Sequence, residues 1–267
     1  MSITYAIIGG TGVYQAGDLA NAEEQTIHTP YGDALATIGE YQGKQIAFLA
    51  RHGTKHNTPP HRVNYRANIM ALKQLGVEQV LATAAVGSLN RRFRPGDLVI
   101  VDDVIDMTKG RVSTFFDEGP VVHVDLSDPY CARIRHGLRD TAVGLGVAVH
   151  HGGVYVCSEG PRFETKAEIG MYARFGGDLV GMTSMPEAVL AKEAELCYAT
   201  VCMVTNWAAG FAGQPLTHEE VVASMRANVD KIRQLFFTWI ANDTGERTCA
   251  CKQAVGGQQP LVGEDGQ

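Results

Sequence analysis

The chain has 267 residues, of which 23 are Lys or Arg and 29 are Asp or Glu, giving a formal charge of −6 at pH 7. This balance argues against a nucleic-acid-binding protein, whose surface is basic, although it leaves room for a local basic pocket that binds one anion. A hydrophobic share of 45% and a charged share of 19% are ordinary for a globular protein.

No run of apolar residues approaches the about 18 that are needed to cross a membrane. The first residues, MSITYAIIGG, lack the basic segment and the long apolar run of a secretory signal. Six cysteines in a chain without such a signal indicate reduced thiols. We therefore expect a cytoplasmic protein whose partners include neither membranes nor nucleic acids.

The first predicted strand, residues 4–8, runs into the glycine-rich sequence GGTG at residues 9–12. Such a turn can wrap backbone N–H groups around an anion, and the hydroxyl of Thr11 adds a donor. A tight turn that needs positive φ explains the glycines equally well. A dinucleotide-binding fingerprint is disfavoured, because it requires glycine where Gln15 stands.

A second strand, residues 45–49, ends in Arg51 and His52, and a loop rich in cations follows at residues 55–62. The planar fork of an arginine suits two phosphate oxygens. Histidines in this segment do not predict a metal site, since prolines break any helix that would align them and no carboxylate accompanies them. We expect an anion-binding loop and no metal.

Strands and helices alternate along the rest of the chain, which predicts an α/β fold around a mostly parallel sheet. One domain is expected over residues 1–241, followed by a polar, disordered tail over residues 242–267. Further strands are predicted over residues 79–84, 98–105, 147–156, 179–182 and 197–204, and helices over residues 64–75, 133–143, 166–175, 186–196 and 217–240.

Polar residues follow several of these strands. Thr183 and Asn206 end the two strands of one strand–helix–strand unit, so they should face one pocket beyond the carboxyl edge of the sheet. Phe163 and Glu164 stand beyond another strand end, where they could stack on and hydrogen-bond a planar ring. A core phenylalanine beside a solvated glutamate is an equally good interpretation of that pair.

Two cysteines, Cys249 and Cys251, lie in the predicted tail. They are too isolated in sequence to predict a zinc site, which needs four ligands. A strained redox pair is also disfavoured.

Six motifs occur in the order GGTG, RHG, AVGSL, GPRFET, GMTSMPEA and VTNWAAG. Together they resemble the trimeric purine nucleoside phosphorylases and methylthioadenosine phosphorylases, over residues 4–240. The resemblance implies an α/β sandwich around a mixed, distorted sheet, assembled as a homotrimer or a dimer of trimers. It also implies cleavage of a purine nucleoside by inorganic phosphate in purine salvage, with no cofactor, releasing the base and ribose 1-phosphate or its 5-methylthio analogue.

The resemblance also assigns roles to individual residues. The implied phosphate site comprises Thr11, Arg51, His52, Ala85 (through its backbone) and Thr183. The implied substrate contacts are Phe163 on the base, Met182 along the ribose, Glu164, Asn206, Ala208, His218, and His123 lent by a neighbouring subunit. Of these residues, Asn206, His52 and Glu164 are implied to be catalytic.

Two of these positions distinguish branches of the family. Where the 6-aminopurine branch has aspartate, this chain has Asn206, whose amide can donate to O6 and accept N7–H. Glu164 can accept N1–H, which 6-oxopurines carry and adenine lacks. Inosine and guanosine are therefore the expected substrates.

The expected sugar is less clearly defined. His218 resembles the histidine that contacts a ribose 5′-hydroxyl, whereas the chain as a whole looks closer to the methylthio branch. S-methyl-5′-thioinosine phosphorylase and 5′-methylthioadenosine phosphorylase are the alternatives within the family. A non-catalytic nucleoside sensor is the alternative from another class.

Overall fold

The computed structural model describes residues 3–10, 13, 17–53, 57–119, 121–211 and 218–256, without the side chains of residues 218–227. The strands are β1 (Tyr5–Gly9), β2 (Ala20–Thr29), β3 (Gly32–Tyr41), β4 (Lys44–Ala50), β5 (Gln79–Ser88), β6 (Leu98–Ile100), β7 (Asp103–Met107), β8 (His150–His151), β9 (Val154–Ser158), β10 (Leu179–Gly181) and β11 (Cys197–Trp207). The helices are α1 (Tyr65–Gln74), α2 (Ala132–Leu145), α3 (Lys166–Arg174), α4 (Ser184–Glu193) and α5 (His218–Asn242), with short 3-10 helices at Pro60–Arg62 and Ala250–Gln253.

Strands β5 and β11 form the centre of the sheet. Almost every residue of both strands is buried, as expected for parallel strands that are covered on both faces. The two strands pair in parallel over their whole length, from Cys197 beside Gln79 to Trp207 beside Ser88. Continuous apolar sequence therefore becomes the most deeply buried part of the fold.

The other edge of β5 changes partner along its length. Its first half pairs in parallel with β1, and its last two residues, Gly87 and Ser88, pair antiparallel with β10. The order from one edge of the sheet is β2-β3-β4-β1-β5-β10-β9-β7, with β11, β6 and β8 joined to the far side of β5. This arrangement confirms the expected mixed, mostly parallel α/β fold.

Two predicted strands are each divided in the structure. The predicted strand 98–105 becomes β6, which pairs with β11, and β7, which pairs with β9. The predicted strand 147–156 becomes β8 and β9, which likewise pair with different neighbours. The predicted boundaries were wrong: Asp102-Asp103 and Gly152-Gly153 interrupt the two apolar runs, and at these points each strand ends and the chain moves to a different neighbour in the sheet.

The helices cover the two faces of the sheet. In β1, Ala6 and Ile8 pack with α1 and α4, whereas Tyr5 and Ile7 pack with α2 and α5. This alternation follows from the two-residue period of a strand, and it gives three layers. In the part of the chain that the structure describes, no helix has the length and apolar character of a membrane span.

The capping box predicted for α3 is present. The Thr165 hydroxyl accepts from the Glu168 N–H at 3.1 Å, and the Glu168 carboxylate accepts from the Thr165 N–H at 2.7 Å. Two helix-start donors are thus satisfied reciprocally. Because the box closes the loop after β9, it also fixes the position of the segment that carries Phe163 and Glu164.

The segment after α5 packs against the body of the protein. The Asp243 carboxylate accepts hydrogen bonds from the Tyr5 hydroxyl at 2.9 Å, from Gln79 Nε2 at 3.1 Å and from Arg133 Nη1 at 2.6 Å. Further along, Cys251 is only 7% exposed. For residues 243–256 the prediction of a disordered tail is therefore wrong, because composition does not reveal these distant partners; residues 257–267 lie outside the described part of the chain.

We predict that Asp243→Ala lowers the free energy of unfolding by about 2–3 kcal/mol, because it leaves buried donors without an acceptor. Burial alone would raise the pKa of Asp243, but the Arg133 guanidinium outweighs it and lowers that pKa. The loss should therefore be complete at neutral pH and should shrink as the pH falls below about 4. Urea unfolding of the full chain at several pH values measures it.

The control is Glu246→Ala, which removes an exposed carboxylate three residues further along the chain. Its effect should stay within about 0.5 kcal/mol. Equal effects of the two substitutions would show that Asp243 does not hold the segment to the body.

Candidate active site

The carboxyl ends of β4, β5, β9, β10 and β11 meet around a cavity of about 400 Å³. This is where open α/β sheets bind ligands, because the chain leaves the sheet there in loops of variable chemistry. The predicted site residues that line the cavity are Arg51, His52, Ala85, Phe163, Glu164, Met182, Thr183, Asn206 and Ala208.

Three predicted residues are not among them. His123 is exposed on the connection between β7 and α2 and does not line the cavity of its own chain, so its role in a neighbouring subunit stays a prediction. Thr11 lies outside the described residues. His218 begins α5, but its side chain also lies outside the described part of the structure.

Arg51 forms a buried ion pair beneath the cavity. Its Nε and Nη2 donate to the two oxygens of Glu187, each at 2.7 Å, and its Nη1 donates to the Thr83 carbonyl at 2.9 Å. The side chains of Arg51 and Glu187 are 2% and 0% exposed. The sequence assigned the arginine fork to phosphate, but in the structure the fork binds Glu187. Only the remaining N–H groups of Nη1 and Nη2, the outer edge of the guanidinium, are left to bind an anion.

The charges of this pair are held by their surroundings. Burial alone would lower the pKa of Arg51, but the carboxylate of Glu187 outweighs it and raises that pKa, so the guanidinium stays charged. The hydroxyl of Tyr198 donates to Glu187 at 2.7 Å. Burial, and then the charge of Glu187, raises the pKa of Tyr198 well above its usual value, which keeps the phenol a donor.

The hydroxyl of Thr83 lies against the cavity without a hydrogen-bond partner among the described residues. Thr83 is 1% exposed, and a buried hydroxyl normally has a partner. A polar ligand in the cavity would supply one. Sequence inspection missed this residue, because it stands inside an otherwise apolar strand that also carries Ala84 and Ala85.

Thr183 stands at the N-cap of α4, with its backbone N–H donating to the Tyr155 hydroxyl at 3.2 Å. The backbone of Met185 is not helical, so the regular helix begins at Pro186, as predicted. Proline suits this position because it lacks an N–H that would go unpaired. Thr183 therefore lines the cavity from the turn that precedes this regular helix, and its hydroxyl can donate to a ligand.

His52 is oriented by a loop that closes one side of the cavity. Its Nδ1 lies 2.9 Å from the carbonyl oxygen of Thr58, and residues 57–60 line the cavity. A carbonyl only accepts, so Nδ1 carries the hydrogen. Nε2 then carries a second hydrogen only when the ring is cationic. The same loop that places the ring thus sets its tautomer.

Glu164 and Phe163 border the opposite end of the cavity. The Ser158 hydroxyl, at the end of β9, donates to one oxygen of Glu164 at 2.5 Å. Phe163 is 47% exposed beside it, so its ring is available to a ligand and does not belong to the core. Of the two interpretations of this pair, the geometry agrees with a site for a planar ring.

Asn206 reaches the cavity through a β-bulge. The register of β11 against β5 shifts between Val204 and Asn206, which re-aims the residues that follow. The Thr205 hydroxyl donates to Asn206 Oδ1 at 2.7 Å, and Asn206 Nδ2 donates to the Trp207 carbonyl at 2.9 Å. These bonds fix the amide orientation while each end keeps capacity for a second hydrogen bond.

Gly87 on β5 makes room for this amide. A Cβ at Gly87 would lie 3.0 Å from Asn206 Nδ2 and 3.3 Å from the Cα of Ala208. Any larger residue would push both away from the strand. The glycine of the AVGSL motif therefore serves close approach of the two strand ends.

Arg111, which sequence inspection missed, joins two of the strand ends. Its Nη1 donates to the Met182 carbonyl at 2.8 Å and to the Met185 carbonyl at 2.6 Å, and its Nη2 donates to the Glu159 carbonyl at 2.6 Å. The side chain is 2% exposed. It thus holds the ends of β9 and β10 together behind the cavity.

The chain matches known proteins over most of its length. The family model of the phosphorylase superfamily matches residues 4–241. The chain belongs to the phosphorylase superfamily. The 6-oxopurine nucleoside phosphorylase of Pyrococcus furiosus is 51% identical over 259 residues, which cover 94% of this chain and 97% of that relative. The probable S-methyl-5′-thioinosine phosphorylase of Methanothermobacter thermautotrophicus is 46% identical, over 94% of this chain and 88% of that relative.

A solved structure agrees with these relatives. Methylthioadenosine phosphorylase from an antarctic soil metagenomic library has a TM-score of 0.90 and 39% identity, covering 95% of this chain and 91% of its own. The family resemblance drawn from six motifs is thereby confirmed. The names of these phosphorylases differ in base and sugar.

We predict that Glu187→Ala lowers the free energy of unfolding by about 3–5 kcal/mol, because it leaves the Arg51 guanidinium buried without a counter-charge. The double variant Arg51→Met/Glu187→Leu should recover most of this loss, since it removes both charges. Chemical denaturation of the wild type, Glu187→Ala, the single variants Arg51→Met and Glu187→Leu, and the double variant measures these losses and the coupling between the two side chains. Glu118→Ala, which removes an exposed carboxylate, is the control and should change little.

A single variant as stable as the wild type would show that the pair does not form. Additive losses in the double variant would show that each side chain acts through other contacts instead.

Proposed function

We propose that the protein is a purine nucleoside phosphorylase that cleaves 6-oxopurine nucleosides, inosine and guanosine, with inorganic phosphate. The products are the free base and ribose 1-phosphate. The observation that carries this proposal is the convergence of Glu164 and Asn206 on one cavity with the exposed ring of Phe163. The 6-oxopurine nucleoside phosphorylase of Pyrococcus furiosus, a close relative, supports the same choice.

The base is recognised by hydrogen-bond polarity. Ser158 holds one oxygen of Glu164, and the carboxylate accepts N1–H of a 6-oxopurine. Adenine has no hydrogen at N1, so it would place a lone pair against that carboxylate, and a polar site rejects such an unpaired contact strongly. Asn206 donates to O6 and accepts N7–H as the base departs, while Phe163 covers one face of the ring.

Phosphate occupies the other end of the cavity in this proposal. The hydroxyls of Thr83 and Thr183, the His52 ring and the outer edge of Arg51 surround that end, and each can donate a hydrogen bond to a phosphate oxygen. Thr11 and the Ala85 backbone are assigned to the same phosphate. The reaction passes through an oxocarbenium-like ribosyl centre, for which positioning and preorganised donors suffice, so we propose no cofactor.

The sugar lies between the two ends. We place Met182 along the ribose and His218 at its 5′-hydroxyl, which favours an ordinary nucleoside. Cleavage of S-methyl-5′-thioinosine is the second candidate, since the Methanothermobacter thermautotrophicus relative carries that name. We further propose a homotrimer in which His123 reaches a neighbouring cavity, acting in purine salvage in the cytoplasm.

The test is release of free base from inosine, S-methyl-5′-thioinosine and 5′-methylthioadenosine, each with and without phosphate. We expect inosine to be cleaved fastest and only with phosphate. Fastest cleavage of methylthioinosine would keep the base assignment and overturn that of the sugar. Fastest cleavage of methylthioadenosine would overturn the base assignment, and no release from any substrate would favour a sensor.

We predict that Asn206→Asp lowers kcat/KM for inosine about 100-fold or more, because the carboxylate cannot donate to O6 and repels it. The ratio of adenosine to inosine cleavage should rise, since a carboxylate can accept from an exocyclic amine. Steady-state kinetics on both nucleosides measure the ratio. Asn242→Asp, an exposed position at the end of α5, is the matched control.

Unchanged inosine turnover in Asn206→Asp would remove this residue from the base. A loss on both nucleosides without a change in their ratio would assign it a structural role.

A further inference from the structure

Four cysteine thiols meet at the edge of the sheet remote from the cavity. Cys131 precedes α2, Cys197 begins β11, and Cys249 and Cys251 belong to the segment after α5. Their sulfur atoms all lie within 4.8 Å of one another, and those of Cys197 and Cys249 are 3.2 Å apart. All four are free thiols.

The cluster has the overall size of a tetrahedral thiolate site, with sulfur separations on either side of the regular value. A zinc ion with bonds of about 2.3 Å to four thiolates holds its sulfur atoms about 3.8 Å apart in a regular tetrahedron. A disulfide would bring two sulfurs to about 2.05 Å, well inside the contact seen here. We propose that Cys131, Cys197, Cys249 and Cys251 form a tetrahedral, mononuclear zinc site.

The surroundings of the thiols suit a structural metal. Cys131, Cys197 and Cys251 are 4%, 0% and 7% exposed and Cys249 is half-buried, so a bound ion would be largely shielded from water. Structural zinc sites are closed in this way, with four protein ligands and no open position. The ion would therefore have a structural role and not a catalytic one.

A nearby cation offsets the charge of such a site. Four thiolates around Zn²⁺ carry a net charge of −2, which is costly to bury alone. The Arg247 Nε donates to the sulfur of Cys197 at 3.3 Å, and the same guanidinium donates to the Glu195 carbonyl. Hydrogen bonds of this kind to ligand sulfurs orient them and balance their charge.

The position of the site separates it from catalysis. Cys197 is the first residue of β11, and Asn206 stands nine residues further along the same strand. At about 3.3 Å per residue, the cluster and the cavity lie about 30 Å apart. The metal would fasten residues 243–256 to the body of the protein, beside the hydrogen bonds of Asp243.

This proposal replaces the sequence-based prediction that Cys249 and Cys251 bind no zinc. Cys249 and Cys251 looked too isolated to bind a metal, because the other two ligands are far away in sequence. The fold brings Cys131 and Cys197 to them, at the start of a helix and of a strand. Two of the four ligands are therefore neighbours in sequence, and the other two are brought to them only by the fold.

The first experiment measures metal and thiols in the full chain, expressed with zinc in the medium and purified without chelator. Elemental analysis should find about one zinc per chain, and Co²⁺ exchanged into the protein should give the charge-transfer bands of thiolate ligands. Cys249→Ser and Cys251→Ser should lose most of the zinc. Cys202→Ser, a buried cysteine of β11 outside the cluster, should keep it.

Wild-type protein without zinc, or with a native mass lower by the four hydrogens of two disulfides, would overturn the proposal. About one iron per chain would overturn the choice of zinc. Because the wild-type measurement needs no variant, it remains decisive if a cysteine substitution prevents folding.

The second experiment separates a structural metal from a catalytic one. Chelation of the wild-type protein should lower Tm by about 10 °C or more, because metal binding contributes to folding. It should leave kcat of the folded enzyme unchanged at a lower temperature. Zinc removal without a change in Tm, or with loss of kcat in folded protein, would overturn the structural role.

Discussion

The ion pair between Arg51 and Glu187 connects the elements that form the floor of the cavity. Arg51 leaves the end of β4, Glu187 lies in the first turn of α4, and Arg51 also donates to a carbonyl of β5. Tyr198 on β11 completes the donors around the carboxylate. Two buried charges are tolerated only while every partner is in place, so four elements must assemble together before the pair is stable.

This constraint explains why the cavity is polar at one end without being strongly basic. The charge of Arg51 is neutralised by Glu187 on the side away from the cavity, and the polar groups that line the cavity include the hydroxyls of Thr83 and Thr183 and the His52 ring. Such groups bind an anion and release it again more readily than an unpaired guanidinium would. A phosphate that is consumed in each turnover is suited to a cradle of this kind.

The sequence predicted the strand ends well, because the carboxyl ends of parallel strands share one edge of a sheet. Thr183 and Asn206 were placed in one pocket for that reason, and the cavity contains both. The structural roles of Glu187 and Arg111 were missed, because in sequence Glu187 looks like an ordinary helix-start carboxylate and Arg111 like an ordinary loop cation. Their roles become visible only from their partners in the folded protein, although a carboxylate among the apolar residues of α4 was a usable signal for Glu187.

The bulge in β11 has a consequence for how the family could vary its substrates. Side chains alternate between the two faces of a strand, so one additional residue reverses which side every later residue presents. The extra residue between Val204 and Asn206 brings two neighbouring residues, Thr205 and Asn206, to the cavity together. Insertion or deletion of one residue at this point would therefore change the side chain that lines the cavity as surely as a substitution does, with the sheet behind it left intact.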